Sequence, residues 1–411
     1  MNKVLRIGKP FVREINNYCQ LVCEIVKPEG ETNEIWYQVD STWRNYLVTE
    51  NADAFVADLV YYAMSYGVDI LSDAPVSQKL LYQLNYHYIP VVSKSKPFFH
   101  GISIKAPAVP ASYKTESFAA TGISCGVDSY YTLLKHLDTE FSDYNIKVAL
   151  FQDWYSIGFA DDEKKKWRSH FRELTSEVAN SLGIKAIYVS CNIDEVLPTP
   201  DFIDPYYGRV CDKGLYTFKY CSAAFALGKL ISKYYFSSGY DIEHFDLKPK
   251  GDVFDEDHYS LFNVSNLSNE IVDVFHFGGE ATRIDKLNYL SKFPVVQKTL
   301  SVCSEEKNCG KCLKCIRTMG ELYSIGKIDN FKECFPTEEF INHITRNFSL
   351  ILANSNNDFF AEIIEKCREN NKPIPIASYL LSPFTRIEMW GRKRFKNNAL
   401  ARKIYGKIKK G

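Results

Sequence analysis

The sequence predicts an α/β protein built on a parallel, doubly wound sheet. Two observations carry that expectation. From about residue 117, short apolar runs alternate with longer helical patterns, and this alternation calls for parallel strands joined by crossover helices. The composition is also globular: 45% hydrophobic, 14% aromatic and 24% charged residues exclude a disordered, collagen-like or coiled-coil chain. At 411 residues the chain exceeds the roughly 250–300 at which one core stops growing, so more than one domain is expected.

Residues 1–110 read as an N-terminal α+β domain. Glu34–Asp40 follows a Pro-Glu-Gly-Glu turn and reads as a strand. Asn51–Tyr66 reads as a helix with Phe55, Leu59 and Tyr62 on one stripe. Ser77 opens a second helix that runs to about Tyr88, and His100–Lys105 is another strand. Pro107 and Pro110 cannot share one regular element, so 106–111 reads as a linker.

The second domain, 115–300, opens with the small-residue strand Phe118–Gly122, a glycine-bearing loop and a helix from about Ser129 to Leu137. Strands Lys147–Phe151, Lys185–Ser190 and Tyr234–Gly239 follow, separated by helices Glu163–Leu182 and Tyr216–Lys233. Ligands of such sheets sit at the carboxyl ends of strands. Residues 301–330 hold a cysteine cluster, 331–385 read as a helical region and 386–411 as a basic tail.

Charge sharpens the division. The chain has 50 basic and 50 acidic residues, yet 386–411 holds ten basic residues and one acid, Glu388. The start of the sequence has no apolar signal segment and no run approaches the ~18 apolar residues of a membrane helix, so a cytoplasmic location is expected. In a reducing compartment clustered cysteines point to metal.

The loop Ser124-Cys125-Gly126-Val127-Asp128-Ser129 sits between a strand and a helix. A helix start presents free N–H groups and partial positive charge to an anion. Gly126 permits close backbone approach, and Ser124 and Ser129 add hydroxyls. Asp128 suits a cap, or a ligand of a Mg²⁺ that bridges phosphates. No Gly-Lys-Ser/Thr closes the loop, so it is not a Walker loop. Cys125 is either a thiol activated by the helix end or a small residue tolerated in the turn.

Cys303, Cys309, Cys312 and Cys315 form the second motif. Gly310 allows a tight turn in Cys309-Gly-Lys-Cys312, and four thiolates with no open position describe structural zinc, with an iron–sulfur cluster as the alternative.

Together these motifs resemble the ATP-pyrophosphatase (PP-loop) superfamily, whose loop reads Ser-Gly-Gly-x-Asp-Ser. Cys125 replaces the first glycine. The cysteine segment is similar to that of the zinc-containing 7-cyano-7-deazaguanine synthases. The resemblance covers about 117–325 and implies a Rossmann-like, adenine nucleotide α-hydrolase-like fold. It also implies nucleotide binding by Ser124 to Ser129, Zn²⁺ on the four cysteines, and an ATP- and Mg²⁺-dependent adenylation that releases pyrophosphate. Thr282-Arg-Ile-Asp285 matches the family's Ser/Thr-Lys-x-Glu segment. It gives Arg283 a catalytic role beside Asp128, and Arg317 lies near the family's arginine. The implied substrate is a small-molecule or peptide carboxylate, with ammonia as a nucleophile and a homodimer as the assembly. RNA thiolation and an ATP-binding scaffold with a degenerate loop are the alternatives.

Weaker candidates are Asp153 at a strand end, Ser237 to Gly239, and Glu280 in His276-Phe-Gly-Gly-Glu280. Arg209, Lys213 and Lys219 read as a solvated charge run. The eight histidines are dispersed without ligand spacing and read as ordinary. Aromatics among the cations of 386–411 fit a polyanion or a membrane surface.

Overall fold

A computed structural model describes residues 3–96, 99–153, 162–197, 202–204, 208–210, 216–247, 256–303 and 305–395. The chain divides into two compact units, Met1–Thr282 and Arg283–Gly411. The first is an α/β unit on an 11-stranded, mostly parallel sheet. Its strands run β1 (Val4–Ile7), β2 (Phe11–Ile15), β3 (Tyr18–Val26), β4 (Thr32–Asp40), β5 (Asp69–Ser72), β6 (Ile104–Lys105), β7 (Phe118–Gly122), β8 (Ile146–Asp153) and β9 (Lys185–Cys191). A separate hairpin, β10 (Phe202–Asp204) and β11 (Gly208–Val210), precedes β12 (Ile231–Ser237) and β13 (Asp273–Phe277).

The sheet order is β13-β12-β7-β8-β9-β4-β3-β1-β5-β6, with β2 beside β3. The strands from β13 to β9 are all parallel. The chain steps outward from β7 through β8 to β9, then returns to the other side of β7 for β12 and β13. The reversal places a switch point between β7 and β12, where an open sheet parts to leave a crevice at its carboxyl edge. Ala119, Ala120 and Thr121 of β7 and Val148, Ala149 and Leu150 of β8 are all buried, as strands covered on both faces must be.

The region 1–110 does not stand apart. β4 pairs antiparallel with β9 through Tyr37–Cys191 and Gln38–Ser190. Asn192 fastens the junction, accepting from Trp36 N at 2.8 Å and donating to Glu34 O at 2.9 Å. The expected linker at 106–111 instead follows the sheet edge, with Val109 N donating to Val76 O at 3.1 Å. Its prolines end the edge pairing without separating two cores, and the division of the chain falls at 282/283.

Three expected elements shift. The helix expected over Tyr216–Lys233 stops at Ala226, and Ile231–Lys233 begin β12. Gly228 marks the break: a Cβ there would sit 2.3 Å from the Tyr113 hydroxyl, so the turn needs a residue without one. The helix capped by Ser77 passes through a wider turn at Leu84–Tyr88 and continues as Ile89–Ser95, with Pro90 in its first turn. The strand expected over His100–Lys105 shrinks to β6.

The second unit is helical: Arg283–Leu290, Pro294–Thr299, Leu313–Ser324, Thr337–Asn342, Ile344–Ala353, Asp358–Glu369 and Ile376–Phe395. Ile316, Met319, Leu322, Phe348, Ile351 and Ile363 are buried and form its core. The last helix runs through the expected boundary at 385/386. Among the described residues no helix is long and apolar enough to cross a membrane.

Candidate functional site

The loop 123–126 leaves the carboxyl end of β7 and enters the helix Val127–Lys135. Its side chains alternate. Ser124 is exposed and Gly126 and Asp128 are half-buried, while Cys125, Val127 and Ser129 are buried. The Ser129 hydroxyl donates to Gly126 O at 3.1 Å and lies 3.2 Å from Ser124 Oγ. Gly126 N donates to Ser124 Oγ at 3.3 Å. The two serines therefore brace the loop, and Asp128 occupies the first helical turn. The outer face offers the exposed Ser124 and a helix start, while the Gly126 N–H is engaged by Ser124 Oγ.

The left-handed residue of this turn is Cys125, at φ 54°. Gly126 is extended, at φ −84° and ψ 171°. A side chain in the left-handed region costs about 1–2 kcal/mol, so the cysteine stands where glycine would be relaxed. Burial pushes the Cys125 thiol up to about 12, which disfavours the thiolate.

A cavity of about 350 Å³ opens at the ends of β12 and β13, next to the switch point. Ser238, Asp241, His258, His276 and Glu280 line it. Glu280 accepts from Tyr131 OH at 2.9 Å, which ties the cavity to the helix that follows the loop. Ser260 Oγ and His276 Nε2 lie 3.0 Å apart, and Asp241 Oδ1 lies 2.8 Å from His244 Nδ1. His258 Nδ1 lies 2.9 Å from His244 O. A carbonyl can only accept, so Nδ1 carries the proton and Nε2 of the neutral ring is an acceptor. Two of the dispersed histidines, His258 and His276, thus line one cavity. Glycines after β12 and β13, at 239, 278 and 279, are the signal in the sequence that marked this end of the sheet.

Other expected residues are engaged in structure. Asp153 ends β8 and lies 3.5 Å from Arg168 Nε. Lys219 is not solvated: it is buried and paired with Asp194. Close by, burial raises Asp58 to about 7, and Tyr37 OH donates to its Oδ2 at 2.9 Å. The Arg209 side chain, Lys213 and residues 396–411 lie outside the described residues.

In the second unit the four thiols of Cys303, Cys309, Cys312 and Cys315 converge, all within 4.8 Å of one another. Cys303 and Cys312 are 3.8 Å apart, the sulfur–sulfur distance of about 3.8 Å set by tetrahedral Zn–S bonds. Gly310 turns the knuckle at φ 70°, and a Cβ there would meet Pro336 at 2.4 Å. Backbone N–H groups of Lys311 and Cys312 aim at Cys309 Sγ, at 3.5 and 3.3 Å, and Cys315 N aims at Cys312 Sγ at 3.4 Å. Asn308 braces the loop by donating to Leu300 O and Cys334 O, at 2.7 and 2.9 Å. Partial burial pushes the Cys303 thiol up, but hydrogen bonds from Glu305 and Cys309 outweigh it and leave the pKa at about 7. The group can hold a metal ion.

Arg283 opens its helix buried, with Nε 3.3 Å from Glu321 Oε2. Arg317 lies 3.6 Å from Glu321 and covers the Phe359 ring. Glu321, absent from the expected residues, is fully buried between two guanidiniums. Arg283 is thus ion-paired with Glu321 within its own unit.

Comparison of the chain with protein-family models, curated proteins and solved structures finds no match.

Proposed function

We propose that the chain is an ATP-dependent enzyme that adenylates a carboxylate or amide oxygen and releases pyrophosphate. The observation that supports it most is the position of the Ser124–Ser129 loop. It joins a buried strand to a helix at the switch point of a parallel sheet, with a cavity at the adjacent strand ends. In this reading the loop holds the β- and γ-phosphates through Ser124 and the helix start. Mg²⁺ near Asp128 would offset charge on the leaving group. The cavity receives the acceptor, whose oxygen attacks the α-phosphorus as pyrophosphate departs. Ammonia or another nucleophile then displaces AMP, and His258 Nε2 accepts its proton. The cysteine group has no open ligand position, so we assign it a structural Zn²⁺.

Incubation with ATP, Mg²⁺, ammonia and a panel of carboxylates should yield AMP and pyrophosphate. ADP and phosphate in their place would overturn the mechanism. A binding-only reading draws support from Cys125 in the turn; ATP bound and uncleaved over hours would establish it.

A further inference from the structure

We propose that the helix Ile376–Phe395 lays its outward face on an anionic lipid surface. Its polarity is inside out compared with an ordinary surface helix. Toward the helix Ile344–Ala353 it presents polar groups. Ser378 Oγ donates to Thr345 O at 2.9 Å, Thr385 Oγ1 lies 3.1 Å from Ser349 Oγ, and Arg386 Nε donates to Ala353 O at 3.2 Å. On the opposite side stand Ile376, Leu380, Phe384, Ile387 and Trp390, exposed by 81, 70, 71, 66 and 60%. Their spacing of three and four residues keeps them on one stripe. Pro383 lies on the same side. The Tyr379 carbonyl that its missing N–H leaves without a helical donor accepts from Ser382 Oγ at 3.1 Å, so the helix continues past it.

Charge selects the occupant. The last turns of this stripe open the segment 386–411, with its ten basic residues and one acid. An apolar stripe beside a cationic run fits a surface with hydrocarbon just beneath an anionic plane, which is the interface of an anionic bilayer. A second copy docked on the stripe would set two such cationic runs side by side if the helices pair parallel, and would leave both runs without an anionic partner if they pair antiparallel. Single-stranded nucleic acid answers the charge and can stack on Phe384 and Trp390, but three of the five stripe residues, Ile376, Leu380 and Ile387, are aliphatic and offer it no stacking surface.

Flotation of the full chain with phosphatidylcholine vesicles, with and without phosphatidylglycerol, tests this. Binding should be confined to the anionic vesicles and fall as salt rises. Leu380→Glu with Ile387→Glu should cut vesicle binding by about tenfold or more at constant salt, since two apolar anchors become charges. These positions point outward, so circular dichroism and metal content should not change. A second variant, with Lys403, Lys407, Lys409 and Lys410 changed to Gln, should weaken binding and flatten its salt dependence. Equal binding to neutral vesicles, or no effect of the stripe variant, would overturn the proposal. So would a dimer that the stripe variant dissolves, or RNA binding with no vesicle binding.

Discussion

The loop at 124–129 and the knuckle at 303–315 are both visible as motifs, yet they are built in different ways. The knuckle is complete within its own thirteen residues: four ligands, the turning glycine and the N–H groups that aim at sulfur. The loop does not line the neighbouring cavity, which Tyr131 of the following helix reaches through Glu280. That cavity is lined from the ends of β12 and β13 and the residues after them, more than a hundred positions from the loop. A chelate site is written in spacing, whereas a crevice site is written in topology.

The largest effect should come from breaking the knuckle. Cys312→Ser, or a strong chelator, should abolish stoichiometric metal binding. It should release the helical unit to limited proteolysis, because a structural Zn²⁺ contributes on the order of 10 kcal/mol to such folds. Retained metal, or a protease-resistant second unit after chelation, would break the comparison.

Acid should separate the two units in opposite directions. Ligand thiolates compete with protons, so metal is lost as pH falls. In the first unit, burial holds Asp58 at about 7 and Asp53 at about 6, both above their unfolded value of 3.8. A raised carboxyl stabilises the fold below its unfolded pKa, and that contribution disappears as pH rises through the folded value. Stability of the first unit should therefore fall between pH 4 and 7, by up to about 4 kcal/mol from Asp58. Asp58→Asn should remove most of that slope in urea titrations at several pH values, leaving the share of Asp53. An unchanged slope would count against it.

Next in size, Asp128→Ala should reduce pyrophosphate release by about a hundredfold, the scale of losing one transition-state contact. Metal content should stay intact. Equal turnover would remove Asp128 from the chemistry. The smallest change belongs to Cys125→Gly. Relief of the left-handed turn and loss of a buried thiol offset each other, so stability should shift by no more than about 1 kcal/mol. Activity should persist; its complete loss would assign the thiol a role of its own.

What was legible follows the same division. The order strand, loop, helix around Ser124 is local, and Phe118–Gly122 was read to the residue. The end of the helix before β12 was not, because Leu227, Leu230 and Ile231 are buried whichever element they join and only Tyr113 against Gly228 decides. His258 and His276 look scattered in the chain because their meeting depends on β13 pairing beside β12. Arg283 was matched to a motif, but its partner Glu321 lies in another helix.

The antiparallel seam between β4 and β9 has a consequence in time. Trp36 and Asn192, which fasten it, are 156 positions apart. A ribosome needs on the order of ten seconds to cover that distance. Through that interval β4 has one open edge, since β3 covers only the other. Its Ile35, Tyr37 and Val39, buried in the finished fold, then depend on the helix Asp53–Tyr66 for cover. Conditions that slow synthesis between residues 40 and 190 should raise the insoluble fraction of this protein, while refolding of the whole chain should be spared that delay.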